Sequence, residues 1–276
     1  SNKLSECNFS GMDLKNKKMS NKNLKFTDFS NAQLKNINFE GSNLVGANFE
    51  NAELLDNNFL NTNLDSSIFK ETTIKNNIFT HTSLVGANFQ NSYLNKNNFD
   101  NSDLQRAIFT NAKINYSEFN DSNLYNAEIL NAEIEYVNFT KSDMTFTNFE
   151  GSFIKNIDLD EVRLWKTKFN EVKIENSKFT KTDIHASQFK YTNLDGIDFK
   201  LSRFSQVDFT NSIFNNADLS GIYPIESVFN NVEFYNSKIN TCLEHDILSK
   251  ILNKILRNIG SLDSTFVRQM LTSICN

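Results

Sequence analysis

The sequence predicts a repeat solenoid closed by a short helical element. Three observations carry this. First, an apolar residue returns at every fifth position from Leu4 to Ile239. Of 48 such positions 47 hold Leu, Ile, Met or Phe, and Pro224 alone departs. A helix repeats near 3.6 residues and a flat strand at 2, so neither makes this beat. Second, no insertion shifts the phase, so one structural unit recurs along the whole tract. Third, the beat stops at Thr241 and gives way to spacing by four, at Leu243, Ile247, Ile251, Ile255 and Ile259. That spacing is the stripe of an amphipathic helix.

Composition narrows the class. At 276 residues, size alone suggests one or two ordinary domains, but the repeat overrides that expectation. The 26 phenylalanines are too much apolar bulk for a disordered chain. No apolar run approaches the ~20 residues of a spanning helix, so no membrane span is expected. The first residues are polar and lack the apolar stretch of a secretory signal. The Ser1-Asn2 start, without Met, reads as a cleavage point or internal boundary. Net charge is −5, from 28 basic and 33 acidic residues, which argues against direct nucleic-acid binding by a basic face. Cys7, Cys242 and Cys275 are too few for a disulfide framework and fit a reducing compartment.

The strings Ser42-Asn43-Leu44-Val45-Gly46, Ala47-Asn48-Phe49-Glu50-Asn51 and Ala87-Asn88-Phe89-Gln90-Asn91 resemble pentapeptide repeats of the form A(D/N)LXX. The resemblance covers the tract from Leu4 to Ile239. It implies an all-β solenoid, a right-handed quadrilateral β-helix with four pentapeptides per coil and about 12 coils. With the apolar centre called i, it implies that i and i−2 point inward and that i−1, i+1 and i+2 point outward. Residue n then stands over residue n−20, and the slots sort into four columns. Leu4, Leu24 and Leu44 face Leu14, Leu34 and Leu54; Phe9, Phe29 and Phe49 face Phe39, Phe59 and Phe79. Two phenylalanine walls thus alternate with two aliphatic walls, and opposed walls are expected to differ in turn geometry or spacing. A bare five-residue period does not require this ten-residue sub-pattern. At the ~4.8 Å strand spacing the rod would be roughly 55–60 Å long.

The i−2 positions fit tight corners. Cys7, Thr27, Ala47, Ser67, Ala87 and Ala107 are small residues beneath one phenylalanine wall. Beneath the other, Asn57, Asn77 and Asn97 recur at spacing 20. They predict an inward amide ladder satisfied by its own neighbours, with a polar ligand pocket as the alternative. Met12, Lys17 and Lys22 mark residues 1–25 as the least regular coil. Gly221-Ile222-Tyr223-Pro224-Ile225 is the one break, where a bulge or short loop is expected because proline cannot donate to a ladder.

Two domains are therefore expected. Residues 1–240 form the β-helix. Residues 241–276 form a helical hairpin, with Gly260 between the helices and a second apolar face at Phe266, Val267, Met270, Leu271 and Ile274. A solenoid end must be covered, so Leu243, Ile247, Ile251, Ile255, Phe266 and Met270 are read as a cap. A homodimer element and the start of a further domain are the alternatives.

No enzyme, cofactor or metal site is expected. His81, His185 and His245 do not stack on one another at spacing 20, nor on a cysteine. No Gly-rich phosphate loop occurs, and no His recurs at a fixed offset from a serine. What the outside offers is aromatic: Tyr125, Phe146, Trp165 and His185 fall on one corner of successive coils. They are the candidate partner-binding residues. Tyr116 and Tyr136 stack on another corner.

The functional expectation is a non-enzymatic protein–protein interaction module, a rigid scaffold of bacterial origin with a protein partner. The resembled family includes secreted bacterial effectors, which implies the recognition domain of such an effector as one form. Asn-, Lys- and Ile-rich usage suits a low-GC bacterial gene. The location would be the bacterial cytoplasm, or the host cytosol for an effector. The family also implies an alternative, a DNA mimic that occupies a type II topoisomerase and protects gyrase. Within residues 1–240, however, 30 acidic residues are interleaved with 24 basic ones. Lys155, Lys166, Lys168, Lys173, Lys178, Lys181 and Lys190 would interrupt an acidic stripe. A purely structural rod is the third reading.

Overall fold

The computed structural model describes residues 4–238. Every fifth residue turns the chain. From Glu6 to Asn236, each i+2 residue has a positive φ, whether glycine or not. Asparagine tolerates this left-handed backbone better than most residues, since its short polar side chain bonds locally. Asn31, Asn51, Asn91, Asn111 and Asn131 all sit at such corners, near +55°. The asparagine content that reads as codon usage in the sequence therefore has a conformational cause. The i−1 asparagines have another. Their Oδ1 accepts the N–H two residues on, as Asn38 does from Glu40 at 2.9 Å and Asn58 from Leu60 at 2.9 Å.

Four corners close a coil in twenty residues. Twelve three-residue strands, from Asp13–Lys15 to Glu233–Tyr235, stack in one parallel sheet at that interval. They mark eleven turns of a β-solenoid, with no helix among the described residues. The other walls stack through single bridges at the same interval, such as Asn8 with Asp28, Lys18 with Asn38 and Asn23 with Asn43. The slots fill the interior. Phe29 to Phe119 are fully buried at ten-residue intervals, and Leu24, Leu44, Leu54 and Leu64 with them. Phe89 stacks on Phe69 and on Phe109, each at 4.7 Å between ring centres, and meets Phe99 edge-on at 6.2 Å.

The walls do differ in turn geometry, though not simply as opposed pairs. After Leu4, Phe9 and Met19 the corner is tight. After Leu4 and Phe9 the i+3 N–H also reaches back to the i carbonyl, as Met12 does to Phe9 at 3.1 Å. With positive φ at the third residue this is the type II pattern. After Leu14, Leu34 and Leu54 the chain instead runs through a strand. From Arg163 onward the opposite wall also changes to strand, at Arg163–Trp165, Asp183–His185, Arg203–Ser205 and Tyr223–Ile225. The charged, bulky outward residues after Glu161 coincide with that switch.

The strand corners explain the buried asparagines. There the i+3 N–H and the i carbonyl lack each other, and a side chain one coil on bridges them. Asn57 Oδ1 accepts the Ile37 N–H at 2.8 Å while its Nδ2 donates to the Leu34 carbonyl at 2.9 Å. Asn77 serves Asn57 and Leu54 in the same way, at 2.9 and 3.0 Å. Asn97 serves Asn77 and Ile74 at 3.0 and 2.9 Å. Ser187 does it with one hydroxyl, for Thr167 and Leu164. The expected self-satisfied ladder is thus corrected. The amides are occupied mainly by backbone, and they leave no polar pocket.

The expected break at Pro224 is also corrected. Tyr223–Ile225 is a regular strand, with Pro224 in register opposite Phe204. Slot N–H groups point to the following coil, as Leu24 does to Asn43. This strand is the last described one of its sheet, so the donor that proline lacks would face away from every described coil. The first coil is exposed at Met12 and Lys17, as expected of an end, but its slots Leu14 and Met19 are buried. The tail expected to form a helical hairpin, with Leu243, Ile247, Ile251, Ile255, Phe266 and Met270, lies outside the described residues.

Candidate interaction surface

The structure brings Tyr125, Phe146, Trp165 and His185 onto one ridge. The corner after Leu124 carries Tyr125, that after Met144 carries Phe146, and the next two strands carry Trp165 and His185. Tyr125 meets Phe146 edge-on at 5.5 Å, and Trp165 meets His185 edge-on at 5.9 Å in paired register. Tyr125, Phe146 and Trp165 are 41%, 40% and 41% exposed, so each ring is anchored on one side and open on the other. The ridge spans the place where this wall changes from tight turn to strand.

Two residue types that the sequence reading passed over hold Trp165 in place. Its Nε1–H donates to Asp183 Oδ2 at 2.9 Å, and the Arg163 guanidinium lies 5.2 Å from the ring centre. Arg163 in turn donates to Asp143 Oδ2 at 2.9 Å. These are i−1 residues of the same wall, two positions before an aromatic or twenty apart. That spacing could have flagged them. Lys166 Nζ sits 5.1 Å over the Phe146 ring.

Tyr116 and Tyr136 stack in parallel on another corner, 4.9 Å apart. Both have positive φ, at 52° and 56°, where Asn36 and Asn76 stand lower in the same column. Phe26 shows how such a ring is seated. It lies over Gly46, where a Cβ would come within 2.6 Å of it.

The remaining titratable groups form no convergent cluster among the described residues, and none there could hold a metal ion. Glu175 is held below the usual carboxylate range chiefly by its hydrogen bond from Lys173. Burial pushes Asp208 up, but the hydroxyl and amide of Thr210 together with Lys190 outweigh it and hold Asp208 low. Asp218 is held low in the same way, against burial, by Ser220 and Lys238. No helix among the described residues is long and apolar enough to cross a membrane.

The filled core and the five-residue corners define a repeat β-solenoid, and its family follows from known proteins. The model of pentapeptide repeats matches in eight copies over residues 3–41, 32–70, 79–111 and 185–221, together half of the chain. The chain belongs to the pentapeptide repeat family, whose members are generally structural or interaction modules. No curated protein matches it. Among solved structures it is similar to HetL, a pentapeptide repeat protein involved in heterocyst differentiation regulation from the cyanobacterium Nostoc sp. strain PCC 7120. Identity is 17%, over 83% of this chain and 88% of that one, with a TM-score of 0.45. It is similar also to QnrB1, a plasmid-mediated fluoroquinolone resistance protein, at 17% identity over 76% of this chain and 99% of that one, with a TM-score of 0.35. A third is Rfr23, a pentapeptide repeat protein from the cyanobacterium Cyanothece 51142, at 15% identity over 57% and 91%, with a TM-score of 0.20.

Proposed function

We propose that the protein is a non-enzymatic interaction module that binds a protein partner through the ridge of Tyr125, Phe146, Trp165 and His185. The observation that supports this is the fixing of Trp165. An exposed indole held by Asp183 and stacked by Arg163, itself held by Asp143, is set before any partner arrives. Trp, Tyr and Arg dominate binding hot spots, and a pre-ordered side chain loses little freedom on binding. The test is Trp165→Ala in a tagged chain, read by recovery of bound protein and by thermal midpoint. Lost binding at an unchanged midpoint is expected. Unchanged binding overturns the reading.

Topoisomerase occupancy by DNA mimicry has weaker support. The charges along the rod alternate, with Lys178 3.4 Å from Asp158, Lys181 4.0 Å from Glu161 and Lys238 3.6 Å from Asp218. Mimicry calls for an unbroken acidic path. Full gyrase supercoiling in micromolar protein is the expected result.

A further inference from the structure

We propose that Lys17 and Lys22 make the first described coil a stop, on whose free face no further pentapeptide coil stacks, whether of this chain or of a second copy. The end of the rod is concerned here, so the proposal does not depend on the ridge. Residue type points to it first. Every i−2 residue from Thr27 to Ile222 is buried, and each is Ala, Ser, Thr, Asn, Val or Ile. In the first coil the same positions hold Cys7, Met12, Lys17 and Lys22. Met12 and Lys17 are exposed, and Lys22 is half-buried. The neighbours one coil on, Ala32, Ile37 and Ser42, show what a covered position accepts.

Side-chain direction points the same way. A polar side chain at i−2 reaches back to the preceding coil. Thr27 donates to the Leu4 carbonyl at 3.0 Å, Ser42 to that of Met19 at 2.5 Å and Asn57 to that of Leu34 at 2.9 Å. A coil added in front of Leu4 would therefore close over Lys17 and Lys22. Their ammonium groups would lose water among backbone and apolar side chains. No inward position of the described rod is acidic, so no copy of it could pair them there. The free face also has something to guard. Asn8, Lys18 and Asn23 bridge only to the following coil, and Asp13–Lys15 pairs on one side only. Such an edge is a template for other chains, and inward-pointing charge blunts it. The last described coil holds Ser227, Val232 and Ser237 at i−2, so this device belongs to one end alone among the described residues.

The test fuses a copy of residues 64–83 in front of Leu4, in place of residues 1–3, which keeps the five-residue phase. Amide exchange is followed at the added copies of Phe69 and Phe79. If the added coil closed, their N–H groups would meet the Asn8 and Lys18 carbonyls, as the Phe9 N–H meets the Asp28 carbonyl at 2.7 Å. With Lys17 and Lys22 in place, the added amides should exchange within about tenfold of an unfolded peptide. In Met12→Ala/Lys17→Asn/Lys22→Ser, which takes the residues that these columns use at Ala32, Asn57 and Ser42, they should slow by at least about a hundredfold. Met12→Ala alone should leave them fast. Slow exchange with both lysines present overturns the stop. Fast exchange in the triple variant overturns it too, since something other than the lysines would then bar the coil. Slowing by Met12→Ala alone assigns the barrier to side-chain size and overturns the role of charge.

Discussion

Replacing Asn77 separates a structural amide from a merely polar one. Its Oδ1 accepts the buried Asn57 N–H at 2.9 Å, and its Nδ2 donates to the Leu54 carbonyl at 3.0 Å. Asn77→Ala strips both backbone groups of these partners inside the core. Each unsatisfied buried group costs about 1–3 kcal/mol. Part of this is offset, because the variant no longer buries an amide, so a net loss of about 3 kcal/mol is expected. For a domain of this size that lowers the thermal midpoint by roughly 6–12 °C. Asn77→Ser is close in size to alanine but keeps a hydroxyl, and Ser187 already performs both roles at an equivalent corner. It should cost no more than about 1 kcal/mol. The assay is urea or thermal unfolding of both variants, with amide exchange at Asn57 as the local reading. Equal losses for alanine and serine, or an alanine variant within about 0.5 kcal/mol of the parent, would refute the bridging role.

Two further outcomes follow from the packing and charge of the rod. Phe89 stacks on two rings, whereas Phe149 stacks only on Phe169 because Ile129 interrupts its column. Phe89→Leu should therefore cost about 1 kcal/mol more than Phe149→Leu in urea unfolding, and the reverse order would discount the ring stacks. Asp208 is depressed when folded, so its contribution is complete above the ordinary carboxylate value of ~3.9 and is lost as pH falls through its lower folded value. Asp208→Asn keeps acceptors for Thr210 but loses the charge and the Lys190 pair, so it should lower the midpoint modestly at pH 7 and converge on the parent at low pH, which flattens the acid limb. A variant equal to the parent at pH 7 but different below about pH 3 would contradict this.

The core was legible in the sequence because one apolar slot in five specifies which side chains point inward. The ridge was legible because spacing 20 names the residues that share a corner. Its supports were not. Asp183 and Arg163 look like ordinary outward charges until the coil sets them against Trp165. Corner type was also hidden: Asn57 reads as a rung of an amide ladder and Ser187 as one serine among many, while the bond each replaces is a backbone bond absent from the sequence. Pro224 misled because proline's missing donor matters only where the next coil needs it. The asparagine-rich composition also has a cause that composition alone does not reveal, since left-handed corners favour it on physical grounds.

The most direct test of the twenty-residue coil, on which the ridge depends, is a paired-cysteine experiment in a background where Cys7, Cys242 and Cys275 are serine. Gln90→Cys/Thr110→Cys places two thiols on adjacent coils of one wall, with Cα atoms ~4.8 Å apart and inside disulfide range. Gln90→Cys/Asp100→Cys places them on opposite walls. Mild oxidation should close the first pair within the chain and leave the second open. Closure of the second, or failure of the first in folded protein, would contradict the coil and with it the ridge.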